Sequence, residues 1–525
     1  MSYIIPACFR EDDITLQLTL QENAKAFPGR IWLRYEGAQC SYADGDIITR
    51  RIASGLIELG IKPGDRVALL FTNCPELVFG FFACFSIGAV AVPINTRFQA
   101  AELIYVINHS GAVLLLGQQD LCEPLFAACG ELPHLAEILV AGTERFAALS
   151  RTQPVALPMV DDNQLAVLMY TSGTTAKPKG VMHSHATLKR QSANYLAVLG
   201  AAVHEQTLVS LPLCHIAAFS VLLLSATVAG GTVTILPRFE PGAVLRSIAE
   251  NRITYAGGLP VMVNALVNYP DAGTYDLSSL QMFAAGGDYV PVELQNRFRE
   301  LFGIVVDELC GMTEVMYCNQ PFNQGQRRSG SIGKPFGDVR IRLEDPDGNE
   351  VPTGEVGEIV VHSGAVTLGY WNDPENTKLA LRGGGMHTGD LAWRDADGFL
   401  WFAGRSKDII IRGGSNISPG EVEDVLYTHP AVYEAGVVGV PCPEMGQRVR
   451  AYVALKSDAK ATDRDLIDWV ARKIAAYKVP ESIVLLATLP KGPTGKVLRR
   501  DLRDLASNEQ SQKRNSSARV WGDRS

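Results

Sequence analysis

From Asp65 onward the chain alternates short apolar runs with helical patterns: RVALLF, PELVFGFFACFSI, AVAVPI, AELIYVINHSG and AVLLLG follow one another. A strand buried on both faces is a continuous apolar run, and such strands joined by helices build βαβ units and a largely parallel sheet. The theme returns in TLVSL, the helix-like IAAFSVLLLSATVAG and TVTIL, with Gly230 and Gly231 as the break. A second α/β unit is therefore expected.

One segment tests this reading. Leu77 to Ile94 runs for 18 residues without a charge, the lower limit for a membrane span. Gly88 inside it is a helix stop, AVAVPI is a β-rich run and Pro93 ends it, so the segment divides into a buried helix and a buried strand. No transmembrane span is expected. The start MSYIIPACFREDD lacks the basic and apolar regions of a signal peptide, so secretion is not expected either.

At 525 residues the chain exceeds one compact core, and two to four structural units are expected. After Arg328 the texture changes to short strands with Gly, Pro and Asp turns, through DVRIRLEDPDGNEVPTGEVGEIVVH, the mark of hairpins. Past GRSKD a smaller region alternates helices and strands again. The expected division is a large domain over 1–405 with a β-rich part at about 330–405, a hinge at 406–407, a compact α+β domain over 408–505 and a disordered tail over 506–525. Net charge is −8 with scattered basic residues, which disfavours nucleic acid as a partner. The ten cysteines form no C-x-x-C pair, which fits reduced thiols in the cytoplasm rather than a disulfide scaffold or metal knuckle.

The densest chemical signal is YTSGTTAKPKGV, Tyr170 to Val181, directly after the strand-like LAVLM. Glycine and small hydroxylated residues let backbone N–H groups and hydroxyls converge on phosphate oxygens, while lysine adds positive charge. It is not a Walker A loop, because that pattern needs Gly-Lys-Ser/Thr after four residues and the residue five beyond Gly173 is Pro178. A lone TSGTT would be an ordinary polar turn; twelve consecutive residues of this kind are not.

This stretch resembles the signature of the adenylate-forming superfamily of acyl-CoA synthetases, nonribosomal-peptide adenylation domains and luciferases. Further motifs follow in that family's order: LPLCHIAAF, AAGGDYVP, GMTE, GSIGKP, GEIVV, HTGD, GRSKDIIIRGGSNISPGEVE and PKGPTGKVLRRDL. The resemblance implies an α/β fold, with two βα-layered subdomains and a β-rich subdomain in a large N-terminal domain and a small mobile C-terminal α+β domain. It also implies an ATP-dependent acid:CoA ligase that forms an acyl adenylate and then transfers the acyl group to a thiol.

Roles follow from the same resemblance. Thr171, Ser172, Gly173, Thr174, Thr175 and Lys179 would hold the β- and γ-phosphates of ATP. Thr313 and Glu314 would contact phosphate and Mg²⁺, with Thr174 as a second metal contact. Gly286, Gly287, Cys310 and Gly311 would border the nucleotide, and Asp390 and Arg405 its ribose and phosphate. Lys496 would bridge the substrate carboxylate and the α-phosphate. Rotation about Lys407 would exchange Lys496 for a pantetheine tunnel lined by Gly413 and Gly414, with Tyr477 and Lys478 as candidates for coenzyme A. His215 would stand near the carboxylate and the tunnel mouth.

Two positions depart from the pattern. Ala176 replaces a frequent glycine, and Cys310 stands where an aromatic residue commonly stacks on adenine. HIAAFSVLLL carries no acid to hold an amino-acid ammonium, so an apolar carboxylate is preferred, a medium- to long-chain fatty acid first and an aryl, coumarate-like or carnitine-like acid second. A non-catalytic nucleotide-binding scaffold is the reading from another class. No carrier domain follows, which favours free coenzyme A as the thiol; a homodimer is left open.

Overall fold

The computed structural model describes residues 15–171, 177–288, 290–320, 326–413, 415–442, 444–492 and 495–508. The uncharged segment divides as its sequence requires. A helix, Pro75–Ile87, starts with proline in its first turn and stops at Gly88, whose φ of 72° only glycine adopts without strain, and the buried strand Val90–Pro93 follows. The helix is apolar all round because it is buried from Leu77 to Ile87, and its Phe81 and Phe85 pack on Phe219 with ring centroids 4.7 and 6.1 Å apart. Among the described residues no helix is long and apolar enough to cross a membrane.

The first sheet has seven strands in the order Gly369–Tyr370, Lys179–Ser184, Leu165–Thr171, Val90–Pro93, Arg66–Leu70, Leu114–Gly117, Glu137–Val140, and it is parallel from Leu165–Thr171 onward. The second has nine strands, with a parallel centre of Thr232–Ile235, Gln206–Val209, Tyr255–Gly258, Met282–Gly286 and Val306–Met312. Its far edge is a hairpin, Ile31–Tyr35 with Ala38–Ser41, that sequence reading left unassigned; Trp32 anchors it by donating to Thr227 Oγ1 at 3.0 Å.

The segment after Gln206–Val209 is helical as expected, but its first eight residues, Ala217–Leu224, form a π-helix before an α-turn at Ser225–Val228. The hairpin-rich region is a four-stranded antiparallel sheet of Arg340–Glu344, Val356–His362, Met386–Arg394 and Leu400–Arg405. The C-terminal unit centres on the long hairpin Val432–Cys442 with Gly446–Leu455, flanked by Pro419–Tyr427 and Asp463–Ala471. Its last helix continues to 508, beyond the expected limit at 505, because Leu502 and Ala506 are buried against Val438, Val440 and Tyr452. The expected tail therefore begins too early in the sequence reading; 509–525 lie outside the described residues.

The two domains touch near the site. Asn264 Nδ2 donates to the Tyr433 carbonyl at 3.1 Å, and Arg499, held by two hydrogen bonds of 2.8 and 2.7 Å to Glu423, faces Asp288 at 3.9 Å.

Candidate active site

The glycine- and threonine-rich loop joins two antiparallel strands. Thr171 stands opposite Lys179 and Tyr170 opposite Gly180, so the strands on either side of the loop pair as a hairpin, next to the edge strand Gly369–Tyr370. Ser172, Gly173, Thr174, Thr175 and Ala176 lie outside the described residues. Lys179 is described: its ammonium stands 4.9 Å from the centroid of the Tyr370 ring. The Tyr370 hydroxyl donates to Glu314 Oε1 at 2.7 Å.

Burial pushes the Glu314 carboxyl above its ordinary pKa, and the Tyr370 hydroxyl opposes that rise, followed by Arg405 and Lys179. Its neighbour Thr313 is fixed from below. His183 Nε2 donates to the Thr313 carbonyl at 2.8 Å, and burial lowers the His183 pKa to about 4, so the ring is neutral. Sequence reading named neither His183 nor Tyr370.

A second cluster borders a cavity of about 590 Å³ between the domains, lined by Asp288, Glu308, Cys310, Asp390, Arg405 and Lys496 among others. Asp390 and Arg405 are cross-strand partners, and Arg405 Nε donates to Asp390 Oδ1 at 2.9 Å. Tyr317, fully buried, donates to Asp390 Oδ2 at 2.7 Å and accepts from the Cys310 thiol at 3.2 Å. Both carboxylate oxygens of Asp390 thus accept from protein donors, which holds the carboxylate in place at the cavity wall. Burial, with the Asp390 charge adding, raises the Cys310 thiol to about 12 and keeps it protonated. Burial pushes the pKa of Glu308, two residues before Cys310 on the same strand, up to about 8.

Lys496 closes the space between this cavity and a smaller one. A Cβ placed on Gly287 would stand 3.5 Å from Lys496 Cε and 3.6 Å from Nζ, so the ammonium approaches the chain where a side chain is absent; Gly287 has φ +80°. Burial lowers the Lys496 pKa, and the Asp288 carboxylate partly offsets it. The smaller cavity, about 180 Å³, is lined by Thr171, His215, Gly286, Gly311, Thr313 and Lys496, together with the apolar Leu222, Ala284 and Met316. Burial, reinforced by Lys496 and Arg97, lowers the His215 pKa to about 4, and its Nε2 has no hydrogen-bond partner among the described residues. A neutral imidazole and a buried ammonium therefore meet at one mouth.

The expected residues divide into those that converge and those that do not. Thr171, His215, Gly286, Gly287, Cys310, Gly311, Thr313, Asp390, Arg405, Lys407 and Lys496 line one or both cavities. Tyr477 and Lys478 sit apart on the C-terminal domain; Tyr477 is exposed and Lys478 pairs with Glu421. Gly413 turns at φ +54° and donates to the Met445 carbonyl at 2.8 Å, lining neither cavity; Gly414 lies outside the described residues.

Residues 20–371 match the model of the AMP-binding enzyme family, and residues 421–496 match the AMP-binding enzyme C-terminal domain. The chain belongs to the AMP-binding enzyme family. It is 37% identical over 484 residues to a feruloyl-CoA synthase of Amycolatopsis sp, covering 92% of this chain and 97% of that protein. It is 31% identical over 531 residues to a long-chain-fatty-acid–CoA ligase of Bacillus subtilis (strain 168), covering 93% and 94%. Among solved structures, the anthranilate CoA ligase AuaEII in complex with anthranoyl-AMP superposes with a TM-score of 0.89 at 29% identity, covering 94% of this chain and 97% of that one.

This AMP-binding enzyme is an acid–thiol ligase of the AMP-forming kind, using ATP and coenzyme A. The expected α/β architecture, with a large N-terminal and a small C-terminal domain, holds.

Proposed function

We propose that this AMP-binding enzyme activates a compact aryl or arylpropenoic acid, and that its cavities divide the labour between nucleotide and acid. The observation that carries the reading is the small cavity. At about 180 Å³ it lies below the usual range for drug-sized ligands, and the buried Tyr255 is part of its lining. A planar ring suits that slot between Gly257, Ala284 and Leu222 better than an extended alkyl chain, so the sequence-based preference for a medium- to long-chain fatty acid gives way to the aryl alternative. The likeness to a feruloyl-CoA synthase and to an anthranilate CoA ligase supports the same choice.

In the first half-reaction a carboxylate oxygen attacks the α-phosphorus of ATP and pyrophosphate departs. Two anions must be brought together, so the chemistry needs positioning and positive charge more than proton transfer. Lys496, buried against Gly287, is the charge that bridges carboxylate and α-phosphate. Lys179 with its loop receives the leaving phosphates, and Asp390, oriented by Tyr317 and Arg405, accepts from the ribose hydroxyls.

No group of three or more candidate metal ligands exists among the described residues, which fits an ion held by one carboxylate, waters and substrate phosphates. Glu314, with one oxygen tied to Tyr370, is the residue that would hold Mg²⁺, which would neutralise phosphate charge. In the second half-reaction the thiol sulfur attacks the acyl carbon, its proton is lost and AMP leaves. Lys407, in the cavity wall beside Arg405, is the pivot proposed for the rotation between the two steps. A non-catalytic scaffold is disfavoured, because it would have no use for a buried lysine that borders both the cavity lined by Asp390 and the one lined by the neutral His215.

A carboxylate panel assayed for pyrophosphate release with coenzyme A tests the assignment. Benzoates and cinnamates are expected to give the highest kcat/KM; preferential turnover of acids with long alkyl chains would overturn it.

A further inference from the structure

The seam between the two domains is charged close to the chemistry. Lys496 and Arg499 stand three residues apart on the small domain and meet two adjacent residues of the large one. The Lys496 ammonium approaches Gly287, and the Arg499 guanidinium lies 3.9 Å from Asp288 Oδ1. Both cations feel that carboxylate. Burial acts against the charge of each, and Asp288 opposes it, as the largest such influence on Lys496 and second to Glu423 on Arg499.

Arg499 is a fixed part of the small domain. It opens the last helix, whose Leu502 and Ala506 are buried, and it donates twice to Glu423, at 2.8 and 2.7 Å. Glu423 is itself buried and accepts from the Val437 N–H at 2.8 Å. When the small domain turns, this pair travels with it and the guanidinium keeps a partner, so the contact that breaks is the longer one to Asp288. A cavity of about 60 Å³ lies in the seam, bordered by Asn264 and Asp288 from one domain and by Glu423, Glu434 and Arg499 from the other. A polar, incompletely filled contact parts more readily than a close-packed apolar one, because little apolar surface returns to water.

Resting on the reading of Lys496 as the adenylating lysine and of Lys407 as the pivot, we infer that Asp288 is a positioning residue. Its carboxylate attracts Arg499 and so holds the small domain in the arrangement that places Lys496 for the first half-reaction, and it releases that domain for the second. Two arrangements in such a balance exchange population when a contact made in one of them is removed. A partly exposed ion pair of this kind shifts the balance by up to about fivefold.

The test compares the full-length wild type with Asp288→Asn, which keeps the shape of the side chain and removes its charge. ATP–pyrophosphate exchange is measured with the acid that the carboxylate panel ranks first, and AMP release with coenzyme A and the preformed adenylate of that acid. Exchange is expected to slow and thioester formation to quicken, so that their ratio falls by about threefold to fivefold while the KM for ATP stays within about twofold. A fall in both rates would make Asp288 merely structural, and a raised KM for ATP with an unchanged thioester rate would make it a nucleotide contact. Either result overturns the inference, as do rates equal to the wild type's. Lys496→Ala is run beside it, and exchange that survives there overturns the reading on which the inference rests, whatever Asp288→Asn does. Amide hydrogen exchange gives a readout that needs no substrate. In Asp288→Asn the segments 259–264 and 431–437, on the two sides of the seam, should exchange faster. The buried strands Arg66–Leu70 and Leu114–Gly117 of the first sheet, which line no part of the seam cavity, should keep the wild-type rate. Equal protection of the seam in both proteins would show that Asp288 does not hold it.

Discussion

Tyr370 donates a 2.7 Å hydrogen bond to Glu314 from a strand at the edge of the first sheet. The same tyrosine carries the Lys179 ammonium on its ring face, so one side chain sets the position of both a carboxylate and a cation.

Tyr370→Phe removes the largest influence opposing the upward pKa shift of Glu314, so the carboxyl pKa rises further. If adenylation needs the ionised form, the acid limb of ATP–pyrophosphate exchange moves to higher pH and the neutral-pH rate falls by about tenfold. An acid limb that stays in place would separate Glu314 from the reaction.

Lys496→Ala leaves a space against Gly287 where the ammonium stood. ATP–pyrophosphate exchange is expected to fall by about 10²-fold or more, the scale of losing one preorganised charge contact. Thioester formation from preformed acyl adenylate should persist, measured by release of AMP. Exchange that survives the substitution would defeat the mechanism.

Cys310 presents a protonated thiol to the nucleotide cavity, tied to Tyr317. Cys310→Tyr offers a ring where a small sulfur now stands, and the Michaelis constant for ATP should fall by about threefold, within the ordinary worth of an aromatic contact. An unchanged or higher constant would mean that the adenine does not rest there.

Glu308 is buried with its carboxyl pKa raised to about 8. The native state thus keeps a proton that the unfolded chain, with an ordinary carboxyl, has already lost, and stability falls as pH rises from the unfolded pKa through about 8. Above 8 this loss is complete. The slope is at most ~1.4 kcal/mol per pH unit for one group. Glu308→Gln should flatten the decline in melting temperature between pH 6 and 8; an equally steep decline would show that another group is responsible.

The sheets and the helix–strand division around Gly88 were legible because apolar runs and a glycine stop are local signals. Motif residues were legible one by one, yet their union was not: Asp390 and Arg405 meet because two strands pair, and Lys496 reaches Gly287 because one domain rests on another. Tyr317, Tyr370 and His183 stayed silent, since each is a single residue in an apolar or mixed stretch whose partner lies elsewhere in the chain. The π-helix was equally hidden, because an all-apolar run has no face from which a period can be read.

That π-helix has a consequence for how the cavity can change. Ala217, Val221 and Leu222 line the acid cavity from a segment wound with i→i+5 hydrogen bonds, more loosely than an α-helix, which brings Leu222 onto the face that Ala217 and Val221 share. Deleting a single residue from 217–224 would let the segment relax to α-helical winding and rotate Val221 or Leu222 away from the slot, reshaping its roof without touching Lys496 or the nucleotide side. The length of this one segment, and not only the identity of its side chains, therefore sets which of them face the acid.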